Sequence, residues 1–514
     1  MKLAYIGIFG VLSLILSLFI VERKYKSFVN EKKNWIIAGI FCFFAAVTVF
    51  SVWHHEYWRD EVQAWCLVRD LSVREIFAQL KIEGHPALWF LVILPFAKIG
   101  LPIEALSVLT LGIILTAAYI LLKKAPFEYW LKTLILFSSV MLYYNSVIAR
   151  VYALIILIVF CIAACYENRF KKPFWYCFFI FLLSQTHVVM AGLVIMLWLM
   201  YMEELFEKKK SVKYWANSIQ IPLGLILVIL ELMGNGRTSA EGIFGRIFFD
   251  IKGSIQEFFR QLQFSIELAA GVEISTGIFY LLFVIIVLCG ICFFKGYWRE
   301  ILIIAGGIGA QIFIAAFIYA TIRQRAILVF LTIVFGYWIC LQRKKELNGA
   351  SDNTNGMAVW MQRYMVSLLV IVGCISFYTT YLGMVDDYRR SYSGAKEIAE
   401  YVEENLPKNA VIVSNVSVNI TGISGCCASI RLWDPATDTF FSYVDWGKKG
   451  FDTCEAYEDI RDRIIRKFKT TEGIYFLMNR MRIPGDMKYE ELELLVEQEP
   501  SIIEDEYFSL YKFK

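Results

Sequence analysis

Long apolar segments recur through most of this chain and constrain its fold more than any other feature. An α-helix needs roughly 20 apolar residues to cross the hydrocarbon core of a bilayer. Hydrophobic residues make up 58% of the 514 residues and charged residues only 19%, which is more apolar than soluble proteins usually are. Segments of crossing length lie at residues 3–21, 34–52, 103–122, 131–148, 150–167, 173–188, 189–206, 215–233, 276–294, 300–320, 324–341 and 361–383. The sequence therefore predicts a polytopic α-helical membrane protein with twelve crossings.

A further apolar stretch, residues 85–100, is short and is interrupted by Pro95. Lys and Arg accumulate in the short cytoplasmic loops of membrane proteins. The basic loops lie at residues 23–33, 123–124, 169–172, 208–213, 295–299 and 343–345. These basic loops all lie on one side of the membrane only if residues 85–100 do not cross it. We therefore expect this stretch to be a re-entrant or interfacial helix rather than a thirteenth crossing. The N-terminus, the loops 53–85 and 234–275 and the C-terminal region then lie outside the cytoplasm, beyond the plasma membrane in a bacterium.

The composition changes near residue 384, where charged residues become frequent and apolar runs shorten. We expect a transmembrane domain over residues 1–383 and a soluble extracytoplasmic α/β domain over residues 384–514. Its predicted elements are a helix at 395–405 and strands at 410–414, 473–478 and 507–513. The domain has no Gly-rich phosphate loop and no nucleophile motif, which favours acceptor recognition or structural support over separate chemistry.

The charge and cysteine patterns exclude some classes of function. A net charge of +4 without a Lys/Arg stripe argues against nucleic-acid binding. Most of the twelve cysteines stand singly in apolar segments and give no metal-binding signature. Cys426 or Cys427 could form one disulfide with Cys454 if the C-terminal domain is extracytoplasmic.

The loop at residues 53–86 is crowded with ionisable groups in a chain that has few of them. Two amphipathic helices are predicted in it, at 60–70 and 72–81. Asp60 and Glu61 begin the first helix, where the helix dipole favours a carboxylate. An ordinary helix start on a solvated linker would have the same pattern. Acid and imidazole groups at a bilayer surface nevertheless suit a reaction on a phosphate-bearing lipid.

Further polar groups interrupt the apolar runs at the predicted outer face. They are Arg150 with Tyr152, His187, and Arg323 with Arg325. Each arginine could simply extend from a helix end towards water. Their shared side instead favours a pocket for an anionic lipid head group, because the forked guanidinium suits phosphate.

Three motifs resemble those of the GT-C glycosyltransferases, in particular the branch that contains protein O-mannosyltransferases and the aminoarabinose transferase of lipid A. They are Asp60-Glu61, Glu83-Gly84-His85-Pro86-Ala87-Leu88 and Ala149-Arg150-Val151-Tyr152. The resemblance covers residues 34–206 by motif and the rest by architecture alone. The chain departs from the branch at Ala87, where a second proline is usual, and at Ala153-Leu154, where many members have an aspartate.

The resemblance implies an inverting transfer of a sugar from a polyprenyl-phosphate donor to an extracytoplasmic glycan, lipid or protein acceptor. Asp60 would be the general base, and Glu61 would support it. The implied substrate- and phosphate-binding residues are Arg59, Glu83, His85, Arg150, Tyr152, His187, Arg323 and Arg325. A divalent cation, Mg²⁺ or Mn²⁺, stays open, because Asp60, Glu61 and His85 could ligate one or could pair with arginine instead.

The loop 234–275 has apolar residues at helical spacing with Arg246, Lys252 and Arg260 between them. This pattern predicts an interfacial amphipathic helix, which would cover the entrance of the lipid donor or only pack on the membrane.

A transporter or flippase for a lipid-linked or anionic substrate is the main alternative function. The chain shows no internal repeat and no paired broken helices, which many transporters have. A scaffold within an envelope-assembly complex is a third possibility. The sequence does not identify the sugar, the acceptor or the polyprenol.

Overall fold

The computed structural model describes residues 2–232, 250–318, 322–348, 355–448 and 450–514. Helices dominate up to residue 389, and a small sheet domain follows. The helices of the first part are α1 (Lys2–Lys24), α2 (Lys26–His54), α3 (Arg59–Asp70), α4 (Val73–Glu83), α5 (Leu88–Lys98), α6 (Glu104–Lys124), α7 (Tyr129–Leu136), α8 (Tyr152–Tyr166), α9 (Pro173–Ser184), α10 (Ala191–Glu207), α11 (Val212–Ser218), α12 (Gln220–Leu232), α13 (Ile251–Ala270), α14 (Thr276–Phe317), α15 (Arg323–Asn348) and α16 (Asn355–Arg389).

Seven helices of the described residues are long and apolar enough to cross a membrane. They span Lys26–His54, Glu104–Lys124, Val188–Glu207, Val212–Leu232, Gly296–Phe317, Arg323–Arg343 and Val359–Arg389. Shorter apolar helices, including α5, α8 and α9, accompany them. Helix α14 bends at Tyr297, where the backbone leaves helical geometry. The fold is thus that of a mostly helical protein with membrane-length helices.

The segment predicted as a continuous helix at 131–148 is helical only as far as Leu136. Buried turns follow over residues 137–151. Ser138 donates a hydrogen bond from Oγ to the carbonyl of Ile135 at 2.8 Å, and Tyr143 has a φ of 68°. Side chains that bond to nearby backbone and a left-handed residue both compete with helix formation. Hydropathy alone does not report either effect.

The ambiguous stretch 85–100 forms the 11-residue helix α5. At 1.5 Å per residue it is about 16 Å long, roughly half of the hydrocarbon thickness of a bilayer. The corner before it is built by Gly84, which ends α4 in a left-handed conformation with a φ of 74°. The apolar helix α5 packs against the amphipathic helix α3, so these two short helices form one layer.

The predicted interfacial helix is observed as α13 for residues 251–270. Residues 234–249 of the predicted loop lie outside the described residues, and residues 271–275 are not helical.

The C-terminal domain contains one mixed sheet. Its helices are α17 (Ala395–Asn405), α18 (Thr421–Cys426) and α19 (Tyr457–Phe468), and its strands are β1 (Val411–Ser414), β2 (Arg431–Asp434), β3 (Thr439–Phe441), β4 (Ile474–Asn479), β5 (Leu492–Glu497) and β6 (Phe508–Phe513). The strand order is β3-β2-β1-β4-β6-β5, and β1 pairs in parallel with both β2 and β4. Helix α17 buries Ile398 on one face of the sheet and α19 buries Ile460 on the other. The helix and strands predicted here are all observed.

All twelve cysteines fall in the described part of the chain and are free thiols. The expected disulfide between Cys454 and Cys426 or Cys427 is therefore not formed. Cys427 is buried in the core against α17 and β1, whereas Cys454 is exposed.

A buried ion pair joins the end of α10 to the loop before α9. Arg169 donates from Nε and a terminal nitrogen to the two carboxylate oxygens of Glu204, at 2.7 and 2.6 Å. The two residues are 2% and 3% exposed. Each charge satisfies the other in a site without solvent, so the pair holds this end of the helix bundle together.

Replacing Glu204 by alanine should destabilise the fold strongly, because the change leaves the Arg169 charge buried without its carboxylate. We expect a loss of about 3 kcal/mol in the free energy of unfolding, measured by thermal unfolding in lipid nanodiscs. Glu257→Ala is the matched control, because the Glu257–Arg260 pair is exposed and such pairs contribute less than about 1 kcal/mol. Equal losses in the two variants would contradict the prediction.

Candidate active site

Helix α3 begins with two adjacent carboxylates that point to different places. Consecutive residues on a helix are rotated by about 100°, so both cannot face the same surface. Glu61 turns inward, is fully buried, and accepts a hydrogen bond from the Trp58 amide at 3.3 Å, which satisfies one free N–H of the first turn. Asp60 turns outward, with its side chain 35% exposed.

Glu61 belongs to a buried charge network. Its Oε1 accepts from the amide of Ala149 at 2.5 Å, and its Oε2 accepts from Nε2 of His55 at 3.1 Å. The other ring nitrogen of His55 donates to Asp387 at 2.9 Å. Burial opposes the charged imidazole, but Coulomb attraction to Glu61 and the hydrogen bond to Asp387 together raise the pKa of His55 to about 10. The network therefore holds a protonated histidine between two carboxylates.

Asp60 lies in a cavity of about 230 Å³ between the helical part and the C-terminal domain. Eight of the ten predicted site residues line this cavity: Arg59, Asp60, Glu83, His85, Arg150, Tyr152, His187 and Arg325. They come from α3, the end of α4 and the corner after it, the turn before α8 and the first residue of α8, the turn before α10 and the start of α15. The structure thus brings together residues up to 266 positions apart (325 − 59), while their chemical roles remain predictions.

Arg150 is the cation nearest to Asp60. A terminal nitrogen of its guanidinium lies 3.2 Å from Oδ2 of Asp60 and 3.3 Å from Oε1 of Gln324. The guanidinium also lies over the rings of Trp58 and Tyr152, at 5.7 and 5.5 Å from their centroids. Aromatic faces attract cations and limit their motion, so Arg150 is held at the carboxylate.

Two histidines share the floor of the cavity. The rings of His85 and His187 are 5.1 Å apart, and Nδ1 of His187 accepts from the amide of Val189 at 3.2 Å. Burial, and then the positive charges of Arg150 and Arg325, lower the pKa of His85 to about 4. His85 is therefore neutral at pH 7, and arginine supplies the positive charge of the cavity.

The hydroxyl of Tyr152 is buried and has no hydrogen-bond partner among the described residues. Burying an unpaired hydroxyl costs free energy. A ligand in the cavity could satisfy it.

The C-terminal domain forms one side of the cavity through Val418, Thr421, Val444 and Trp446. Gln63 on α3 exchanges two hydrogen bonds with the backbone of Val444, each of 2.8 Å. Arg59 binds Asp505 at 2.7 Å, and its amide donates to Glu506 at 3.2 Å. Helix α3 is therefore attached to the C-terminal domain at two positions that lie one helical turn apart.

Two predicted site residues lie outside the cavity. Glu61 is used by the buried network, and Arg323 donates to the hydroxyl of Tyr144 at 2.6 Å and to the carbonyl of Leu268 at 3.2 Å. Arg325, two positions later, lines the cavity instead. The difference follows from the helical rotation of about 200° between these positions.

The residues that could ligate a divalent cation do not converge on one point. Within the described ranges, no three His, Cys, Asp or Glu side chains form a group that could hold a metal ion. Glu61 points away from Asp60, and Asp60 faces Arg150. Asp60, Glu61 and His85 therefore do not fit a shared metal site.

Several cavity residues were missed by the sequence prediction. Gln63 lies one helical turn after Asp60, so its spacing was an available signal, and Trp89 and Thr186 lie close in sequence to His85 and His187. Val444 and Trp446 gave no such signal, because only tertiary contacts bring the C-terminal domain onto α3.

No family model matches this chain, and no curated protein matches it in sequence.

The raised pKa of His55 predicts a pH-dependent stability. Because the pKa is higher in the folded than in the unfolded chain, the stabilisation is fully present below about pH 6.5 and is lost as the pH rises through about 10. His55→Gln should be less stable than the wild type at neutral pH, and the difference should shrink towards pH 10. Thermal unfolding over this pH range measures it.

His54→Gln is the control for that measurement, because the neighbouring His54 is half-buried and its ring nitrogen bonds to the Phe50 carbonyl rather than to a carboxylate. It should keep the pH dependence of the wild type. A difference between wild type and His55→Gln that is constant with pH would contradict the assignment.

Proposed function

We propose that this protein is a membrane glycosyltransferase that moves a sugar from a polyprenyl-phosphate donor to an acceptor. The observation that carries the proposal is a carboxylate, Asp60, that shares a cavity with Arg59, Arg150 and Arg325. A transfer of this kind needs a base for the acceptor and positive charge for the departing phosphate. Membrane-length helices beside the cavity suit a donor whose hydrocarbon stays in the bilayer.

In the proposed reaction the acceptor hydroxyl oxygen attacks the anomeric carbon of the donor sugar. The new C–O bond forms as the bond between that carbon and the phosphate oxygen breaks, and polyprenyl phosphate leaves. Asp60 takes the proton of the hydroxyl. A single displacement inverts the anomeric centre.

Arg150 connects the two halves of this reaction. Its guanidinium pairs with Asp60, and a phosphate would compete for the same guanidinium, since arginine binds phosphate with paired hydrogen bonds. Donor binding would then release Asp60 to accept a proton. Neutral His85 would donate a hydrogen bond to the phosphate rather than supply charge.

The distribution of basic loops supports an orientation in which the cavity and C-terminal domain lie outside the cytoplasm. On that face the donor would be a flipped lipid and the acceptor an envelope glycan, a lipid or a protein. In a bacterium this would be the outer face of the plasma membrane.

Replacing Asp60 by asparagine should lower sugar transfer by about 10²- to 10⁴-fold, the usual contribution of a general base. Donor binding should persist, because the arginines remain. Transfer from radiolabelled polyprenyl-phosphate sugars and binding of the same donors are measured on purified protein in nanodiscs. Glu75→Gln, an exposed carboxylate on α4 outside the cavity, should transfer normally.

A transporter or flippase would give a different result in these assays. If the wild type transfers sugar from none of the donors but moves lipid or solute across vesicles, the glycosyltransferase proposal fails.

The two neighbouring arginines give a second test of the cavity. Arg325→Gln should weaken donor binding by about tenfold or more, because a charge-assisted hydrogen bond to phosphate is lost. Arg323→Gln removes the same charge two residues away but outside the cavity, so its effect on donor affinity should be clearly smaller. Equal effects would place the phosphate elsewhere.

A further inference from the structure

A second concave surface lies on the C-terminal domain, outside the candidate active site. It has a volume of about 410 Å³ and is built around β3, at the edge of the sheet, and the segment that follows it. We call it the edge groove; the residues that matter for its chemistry are Arg431, Phe440, Phe441, Tyr443, Asp445 and Lys448.

The edge groove combines an open aromatic ring with a cation. Phe440 is 45% exposed, and the Arg431 guanidinium lies 4.5 Å from the centroid of its ring. Tyr443 adds a second, half-buried ring. Flat apolar faces of this kind pack against the C–H faces of sugar rings, and the nearby polar groups bond to the hydroxyls.

The charge of the edge groove favours an anion. Arg431 and Lys448 are exposed, and neither forms an ion pair with a described residue. The acidic residue of the groove, Asp445, already accepts a hydrogen bond from the amide of Gly447 at 3.0 Å. Two unpaired cations on a concave surface attract a ligand with carboxylate or phosphate groups.

A peptide strand is a poorer fit than a glycan. Strand β3 has three residues, Thr439–Phe441, and the chain then turns away. An added strand depends on a row of backbone hydrogen bonds along the edge, which such a short strand does not offer.

The edge groove and the active-site cavity share one segment of chain. Tyr443 and Asp445 line the groove, while Val444 and Trp446 line the cavity. The side chains of this segment thus alternate between the two concave surfaces. Val444 is bonded to Gln63 on α3, three positions after Asp60. A chain bound in the groove therefore lies one segment away from the proposed base.

We propose that the edge groove binds an anionic glycan that serves as the acceptor of the transfer reaction. This assignment of the acceptor class rests on the proposed function. A polymer held in the groove would present its end, or a branch, to the cavity across the segment 443–446.

The test uses the full-length protein in nanodiscs and isothermal titration calorimetry. The probe is a pentamer of galacturonic acid, with maltopentaose as a neutral sugar of equal length and pentaglutamate as an acidic peptide. We expect binding of the galacturonate pentamer and much weaker binding of the other two. The double variant Arg431→Gln/Lys448→Gln, and separately Phe440→Ala, should each weaken binding by about tenfold or more.

Lys408→Gln, an exposed cation elsewhere on the domain, is the matched control and should bind as the wild type does. Failure of the pentamer to bind, equal binding of pentaglutamate, or unchanged binding by the groove variants would each overturn the proposal.

Asp60→Asn separates this proposal from the proposed function, because it should bind the pentamer normally while losing transfer. If wild type binds the pentamer in the groove but transfers no sugar from any donor, the assignment as acceptor is overturned together with the enzyme activity. If the wild type transfers sugar but does not bind the pentamer, only the assignment of the edge groove as the acceptor site is overturned.

Discussion

The buried carboxylate of Glu61 is the interaction on which the candidate site depends. It fixes the first turn of α3 to the amide of Ala149 and to His55, and His55 fixes Asp387 at the end of α16. A charge without water must have such partners, because the cost of burying it alone is several kcal/mol. Once Glu61 is held inward, helical geometry directs Asp60 outward into the cavity. Two adjacent acids thereby acquire different functions, one in the structure and one in the proposed chemistry.

Arginine, rather than histidine, determines the electrostatics of the cavity. Arg150 and Arg325 contribute to the low pKa of His85, and Arg150 is retained by Asp60 and two aromatic rings. Positive charge that is permanent and preorganised suits the binding of an anion, because little reorganisation is needed when the anion arrives. The same arrangement would disfavour a cationic ligand. In the proposed function, these arginines would favour an anionic donor before any specific contact is considered.

Local patterns predicted much of this architecture. The amphipathic helices α3 and α4, the corner at Gly84, and α17, β1, β4 and β6 of the C-terminal domain follow from periodicity and turn chemistry. The other elements of that domain, α18, α19, β2, β3 and β5, were not predicted. The eight titratable residues that line the cavity were found because ionisable groups are conspicuous in an apolar chain. The inward direction of Glu61, the bond of Arg323 to Tyr144 and the end of α7 at Leu136 were not predicted. Each depends on side chains that meet only after the helices pack, and hydropathy contains no such information.

The contact between Arg59 and Glu506 joins residues separated by 447 positions. During synthesis α3 emerges long before the segment that completes its surroundings. The charged groups of its first turn therefore lack their C-terminal partners until the end of the chain has been made. Contacts between distant parts of a chain form late and slow the overall folding. The cavity is consequently among the last features to be assembled. A nascent chain would have its membrane-length helices well before the cavity is complete, so the two parts of the fold are separated in time as well as in sequence.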